Sequence, residues 1–303
     1  MKKQDLNWND LRFFLEVARK GRLNSASKNL GVNHTTVSRR IEALENALQV
    51  KLLEQDEQGF HLTTIGESIL PLAQQIEDAT ELTKERVNLS GKSLSGTLRV
   101  GAPDGFGNSF LAKKITHFTN ENPDITIQLV PVPLSHNLLK REVDIAITLE
   151  PSDRKDILCK KITDYSLYLY TSRTYLEKNN VDLSNIDEIK QHPFASYISD
   201  ILYTEQLDFN RHIDENLNDS FQGSTVMSQL EFIAEGGGFG VLPHFMTEHD
   251  DRFIRVLPEK YFFIRTYWLL IPIELNRLSS VRALTQNILS SVKKHKLSFC
   301  PEE

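Results

Sequence analysis

The spacing of apolar residues predicts helices separated by tight turns in the first third of the chain, and alternating strands and helices after it. Asp10 to Arg19 predicts a first helix, with Leu11, Phe14, Leu15 and Ala18 inward, Trp8 and Phe13 as companions, and Gly21 as the stop. Leu23 to Leu30 predicts a second, opening at an N-cap, Asn24. Gly31-Val32-Asn33 breaks the run: Gly31 suits the positive φ that ends a helix, Val32 plugs the joint, and Asn33 caps the third helix. In that helix Val37, Ile41, Leu44 and Leu48 form a buried stripe.

Val50 to Leu53 and Phe60-His61-Leu62 flank a polar tip, Glu54 to Gly59, a pattern that predicts a β-hairpin wing. Thr64-Ile65-Gly66-Glu67 reads as a capping box that opens a helix to about Leu89, with Pro71 bending its early turns. Its seam of Ile65, Ile69, Leu72, Ile76, Ala79 and Thr83 is narrow for its length. A partner helix explains that better than packing on its own domain. Ser90 to Ser93 reads as a linker, and from Gly96 the alternation predicts α/β units with parallel sheets. Expected strands are Thr97–Gly101, Ile125–Pro131, Asp144–Leu149, Ser166–Thr171, Pro193–Ile198, Asp219–Gln222, Phe239–Pro243 and Tyr267–Ile273. Expected helices are Phe110–Thr119, Ser135–Glu142, Ile186–Lys190, Val226–Glu235 and Ser280–Lys294. The segment from Ser166 opens a second lobe.

Composition changes the picture only through its distribution. With 40% hydrophobic and 25% charged residues the chain is ordinary globular material. Its net charge of −6 argues against a nucleic-acid binder. Before residue 54, however, Lys2, Lys3, Arg12, Arg19, Lys20, Arg22, Lys28, Arg39, Arg40 and Lys51 face only Asp5, Asp10, Glu16, Glu42 and Glu45. A basic module on an acidic body attracts phosphate while limiting indiscriminate sticking. His34, Thr35, Thr36, Ser38, Arg39 and Arg40 fill the first exposed turns of the third helix, where a helix-turn-helix protein meets base edges and phosphates. The plainer alternative is a solvated face of a three-helix bundle. The wing acids Glu54, Asp56 and Glu57 sit awkwardly beside phosphate.

No segment is long and apolar enough to span a bilayer and the N-terminus has no apolar signal region, so a cytoplasmic protein without membrane contact is expected. Cys159 and Cys300 lack metal-ligand or CxxC spacing; reduced thiols are expected, with a redox-sensing disulfide as the alternative. The nine histidines are scattered, and His244 and His249, near Asp250 and Asp251, read as a solvated loop rather than a metal site. No nucleophile–base pair stands out, so neither an enzyme nor a cofactor or metal protein is expected. An exported solute receptor would need a signal segment.

In open α/β lobes ligands sit beyond the strands' C-terminal ends. The glycine-containing loop Pro103 to Ser109, with Asp104, Gly105, Asn108 and Ser109, is one candidate cradle, and Gly223-Ser224-Thr225 before the helix at Val226 is another. Ser135 and Thr148 are further candidates; Asn108, Ser135 and Ser224 read equally well as helix caps. An ionised Asp104 repels a carboxylate, so either it turns away or the ligand is neutral, cationic or zwitterionic. Gly236-Gly237-Gly238 follows a helix and precedes a strand, the wrong order for a phosphate loop.

The chain resembles the LysR-type transcriptional regulators over nearly its whole length. The matching stretches are Leu11-Arg12-Phe13-Phe14, Ala26 to Leu30, Asn33 to Ile41 with Leu44-Glu45, Leu62 to Gly66, Gly96 to Val100, Asp144 to Ile147 and Gly238 to Pro243. The resemblance implies an α/β chain: an N-terminal winged helix-turn-helix over 1–63, a linker and dimerisation helix over 64–92, and an effector-binding domain over 93–303. That domain is expected to be two-lobed, like a type 2 periplasmic binding protein, with lobe I at about 93–165 and 268–300 and lobe II at about 166–267. It further implies double-stranded DNA as partner, a homodimer through the linker helix that pairs into a homotetramer, and a small-molecule effector between the lobes that modulates promoter activity. By position, His34, Thr35 and Arg39 match base-reading residues, and Ser38 and Arg40 nearby backbone contacts. Where the family usually has an Arg after the wing's Leu-Phe, this chain has Leu52-Leu53-Glu54-Gln55, which puts a wing contact in doubt. A DNA-binding regulator or nucleoid-type binder without an effector is the alternative.

Overall fold

Helices α1 (Trp8–Lys20), α2 (Leu23–Leu30) and α3 (His34–Leu48) close around Phe14, Leu15, Val17, Ala26, Val37 and Leu44, all buried. Gly21 and Gly31, at φ of 64° and 65°, end the first two helices in the left-handed conformation that a Cβ disfavours. Three local expectations change. Trp8 is 64% exposed, outside the core that Phe13 joins. The cap of helix α2 lies two residues earlier, at Arg22, so Asn24 lies within its first turn and accepts the Ser27 hydroxyl on its carbonyl. Asn33 does precede α3, but only its carbonyl serves, accepting the N–H of Thr36 at 3.0 Å and of Val37 at 3.2 Å.

Strands β1 (Leu53–Gln55) and β2 (Phe60–Leu62) pair antiparallel with Leu53 opposite Leu62. Pairing runs two residues into the polar stretch expected to be the tip. Asp56 closes the remaining turn by accepting the N–H groups of Gln58 and Gly59, and these bonds, with His61, hold its carboxyl below the usual range. Helix α4 (Thr64–Asn88) is capped by Thr63, one residue before the expected box: its Oγ1 accepts the Gly66 N–H at 3.0 Å. A Cβ on Gly66 would run into the Leu52 carbonyl oxygen, so glycine is what lets α4 sit this close to the wing's first strand. Leu70 and Ala73 bury one side of α4, and Arg19 forks onto Glu77 at 3.1 and 2.6 Å. On the other side Ile65, Leu72 and Ile76 stand 44%, 55% and 37% exposed, an apolar seam with no cover from their own unit.

The computed structural model describes residues 5–88, 94–131, 143–202 and 204–301, and the chain divides between Lys92 and Ser93 into two units. The expected linker Ser90–Ser93, the helix Ser135–Glu142 and the candidate Ser135 lie outside the described residues. In the second unit β3 (Gly96–Ala102) runs parallel between β4 (Ile125–Pro131) and β5 (Ile145–Thr148). Strand β6 (Ile157–Ser172) then pairs antiparallel along all of β11 (Phe262–Pro272), which also flanks β5. Strands β9 (Gly240–Pro243) and β10 (Phe253–Arg255) lie antiparallel on β6, and β7 (Pro193–Tyr197) pairs with β8 (Asn218–Gly223) in a separate parallel sheet.

The sheets are therefore mixed, not parallel throughout. The lobe boundaries expected at 165/166 and 267/268 fall inside β6 and β11, continuous strands that serve both lobes. The register of β11 slips between Tyr267 and Trp268, and such a bulge lets one strand bend from one lobe to the next. In lobe I, α5 (Ala112–Glu121) and α7 (Ser279–Lys294) cover Val100, Ile145, Ile147, Leu269 and Ile271. In lobe II, α6 (Val226–Ala234) buries Leu230 and Ile233 against Tyr170 and Leu242. No helix among the described residues is long and apolar enough to cross a membrane.

Candidate functional site

Two places gather the polar groups singled out in the sequence: the N-terminal turns of α3 and the crevice between the lobes. On α3 the buried stripe turns Val37, Ile41 and Leu44 inward, which leaves His34, Thr35 and Arg39 exposed on one face, with Thr36 and Ser38 half-buried beside them. Arg39 makes no ion pair among the described residues. The Asn33 side chain accepts no N–H of α3, so the positive end of this 15-residue helix has no side-chain cap among the described residues. Ser38 reaches Glu42 at 3.4 Å, a long bond that leaves it adjustable.

Arg40 differs. Its Nη1 donates to Asp10 at 3.1 Å, on a carboxylate only 5% exposed, and the guanidinium lies 5.9 Å over the Phe13 ring. Arg40 thus ties α3 to α1 before it touches anything outside. The residue that sequence reasoning missed is Glu45. It is buried, and its Oε1 accepts the N–H groups of Leu52 at 2.9 Å and Leu53 at 3.2 Å while Lys51 pairs with its other oxygen. The wing is thereby fixed to the helix that carries Arg39. The signal was present: Glu45 follows Ile41 by four, on the inner face.

The crevice differs more from expectation. Pro103 to Ser109 is not a loop, because helix begins at Asp104 and passes through a π-helical turn, Phe106–Leu111, into α5. Its glycines serve packing rather than ligand approach. A Cβ on Gly105 would come within 2.7 Å of Val226 and 2.9 Å of the Met246 sulfur. Asp104 does not turn away either. It is 7% exposed, and its Oδ2 accepts the N–H of Met227 at 3.1 Å, in the first turn of α6 in the opposite lobe. Burial pushes its carboxyl up, against the backbone N–H groups of Met227 and its neighbours, which pull it down.

Ser109 reinforces the join by donating to the Met227 sulfur at 3.6 Å. Thr225, not Ser224, caps α6, accepting the Ser228 N–H at 3.2 Å; Ser224 is exposed, as is Asn108, which lies inside the helical run and caps nothing. Thr148 spends its hydroxyl on the Glu150 carbonyl at 2.7 Å. The structure therefore brings Asp104, Gly105 and Ser109 together with the N-terminus of α6, and leaves Thr148, Asn108 and Ser224 outside that contact. Among the described residues a small cavity of about 20 Å³ lies at this contact, walled in part by Asp104, Tyr165, Tyr197, Phe209 and Tyr267, room for roughly one water.

Elsewhere, His244 is buried rather than solvated, bonded to the Tyr170 hydroxyl at 3.2 Å, and burial pulls its pKa down. Cys159 and Cys300 are free thiols.

Comparison with known proteins finds a match for each of the two units. The family model described as a bacterial regulatory helix-turn-helix protein of the lysR family matches residues 8–67, and the LysR substrate binding domain model matches residues 91–293. The HTH-type transcriptional regulator GltR of Bacillus subtilis (strain 168) is 24% identical over 279 residues, 86% of this chain and 88% of that protein. A full-length OxyR variant from Pseudomonas aeruginosa superposes at a TM-score of 0.68 with 18% identity, covering 95% of this chain and 98% of that one. Full-length LysG from Corynebacterium glutamicum, solved with bound effector Arg, superposes at 0.65 with 18% identity, covering 95% and 99%.

Proposed function

The chain belongs to the LysR family of transcriptional regulators, and from that membership we propose that it reads specific DNA sites in the cytoplasm as a homo-oligomer whose C-terminal unit takes a small-molecule effector. The observation that carries the DNA reading is the exposed Arg39, outside every ion pair among the described residues, beside His34 and Thr35 on a helix that the Asn33 side chain does not cap. In this reading those three meet base edges, while Thr36, Ser38 and the outer edge of Arg40 meet phosphates. The effector reading is supported by the substrate-binding domain match and by the effector in LysG.

Arg39→Ala is expected to lower the preference for operator over random duplex about 10- to 100-fold, with an unchanged melting temperature. Arg40→Ala acts differently, because it strands the buried Asp10; it should cost the winged unit about 2 kcal/mol. Competition binding at fixed salt, with melting curves for both variants, checks the pair. Equal loss on operator and random DNA for Arg39→Ala overturns sequence reading and leaves a nucleoid-type binder.

The exposed seam of Ile65, Leu72 and Ile76 is proposed as the dimer contact, two α4 helices closing on each other. Ile76→Glu together with Leu72→Glu should shift the protein to monomer in sedimentation and weaken operator binding, since two half-sites need two copies. An oligomer that survives both charges removes α4 as the interface.

A further inference from the structure

The wing carries charge of the wrong sign for DNA. From Leu53 to Leu62 it exposes Glu54, Asp56 and Glu57 and holds neither lysine nor arginine, and its histidine, His61, is bonded to Asp56 at 3.1 Å. Lys51, two residues before β1, is paired with Glu45. Elsewhere in the winged unit Arg19 is committed to Glu77 and Arg40 to Asp10. A duplex against α3 also has phosphates to either side of the bases it presents, and those need positive partners.

Arg22 stands where it can supply one. It is exposed in the turn between α1 and α2, in extended conformation, and makes no ion pair among the described residues. Its stem is fixed from the wing side. The Phe60 N–H donates to the Gly21 carbonyl at 2.7 Å, and a Cβ on Gly59 would strike that same carbonyl oxygen and lie 3.6 Å from the Arg22 Cγ. Glycine at 59 therefore seats the base of the wing on this turn, with the Arg22 stem against it. The helix that follows points the same way. In helix-turn-helix docking the helix before the recognition helix crosses the phosphate backbone. Here that helix, α2, opens directly after Arg22 with no side-chain cap, and its first turn exposes Asn24 and Ser25, both able to bond phosphate oxygens.

We propose that Arg22 is the wing-side phosphate contact of this chain, holding the DNA backbone beside the bases that α3 reads, where the wing has no cation to offer. The proposal rests on the reading of α3 as the base-reading helix and adds a group that positions the duplex on it. Phosphate is the same at every step, so Arg22 contributes affinity and salt dependence but no sequence preference, which stays with Arg39. Arginine suits the task, because its planar fork can take two oxygens of one phosphate.

The test uses the full chain and a random-sequence duplex, with the binding constant read by fluorescence anisotropy between about 0.05 and 0.3 M salt. Arg22→Gln should flatten the slope of log K against log salt by about 0.9 for each chain bound, which at 0.1 M salt is roughly an eightfold loss per chain. Its melting temperature should not move, since the side chain answers no other charge in the fold. Arg22→Lys keeps the charge and should keep the slope. Lys28→Gln makes the same charge change in the last turn of α2 and should leave the slope as it is. A full slope in Arg22→Gln overturns the contact, and so does an equal fall in Lys28→Gln, which would mean that DNA feels only the summed charge of the unit. A lower melting temperature for Arg22→Gln assigns the residue to the fold instead and overturns it as well. An operator duplex run beside the random one separates the two readings. If the wild type prefers its operator while Arg22→Gln keeps the full slope, only the Arg22 contact falls; a wild type without salt-dependent binding to either duplex removes both.

Discussion

Glu45→Ala is expected to lower the stability of the winged unit by about 3 kcal/mol, and to abolish operator binding without touching a DNA-facing side chain. The carboxylate is buried, and the N–H groups it satisfies, on Leu52 and Leu53, lie where the chain leaves α3 and enters β1. Alanine leaves both donors unpaired, and hydrogen bonds to a charged acceptor are among the stronger ones. The accompanying bond from Lys51 contributes little, since that side chain is 73% exposed. For a unit of this size the loss corresponds to a drop in melting temperature of roughly 10–20 °C. Glu45→Gln, which keeps one acceptor, should recover part of it. A melting curve of the first unit that does not move for Glu45→Ala would mean that the wing is held by Leu53 and Gly66 packing alone. DNA binding at a temperature where the variant remains folded distinguishes a loosened wing from a lost fold.

The helical N-terminal unit was legible because its determinants are local. Gly21 and Gly31 announce their own turns, and the stripe of Val37, Ile41 and Leu44 names the face that leaves Arg39 outside. Departures there were one or two residues wide; Thr63 caps in place of Thr64 because neighbouring hydroxyls offer the same cap chemistry and only the packed backbone chooses. The mixed sheet was not legible. Apolar alternation reports which residues are buried, but not that β6 runs on through Lys160 and Lys161 to pair with all of β11. The candidate cradle failed for a related reason. Glycines at 105 and 107 read alike whether they make room for a ligand or for another part of the chain; Gly105 admits Val226 and Met246, from far along the sequence.

Asp104→Ala should convert the first turn of α6 into an anion site that the wild type does not have. In the native chain the Met227 N–H is taken by Asp104 and the Ser228 N–H by Thr225, so the end of the helix dipole is already answered from within. Removing the carboxylate while keeping Thr225 frees the Met227 donor in a space shaped for two oxygens. Acetate or formate should then raise the variant's melting temperature, by about 1.4 kcal/mol of stability at about ten times its Kd, and leave the wild type unmoved; chloride at matched ionic strength is the control.

The same carboxyl should make the lobe contact weaker as pH rises through the acid range. Burial raises the Asp104 carboxyl above its ordinary value of 3.8, so the folded state holds that proton more tightly than the unfolded chain. In the window from that value up to the raised one, folded Asp104 binds more protons, and its contribution to stability falls as pH rises. The melting temperature of wild type minus that of Asp104→Ala should therefore decline across this acid window and stay level on either side. A difference that instead grows with pH would mean that the N–H groups of α6 outweigh burial, and that the lobe contact is an ion–dipole clamp strongest in its charged form.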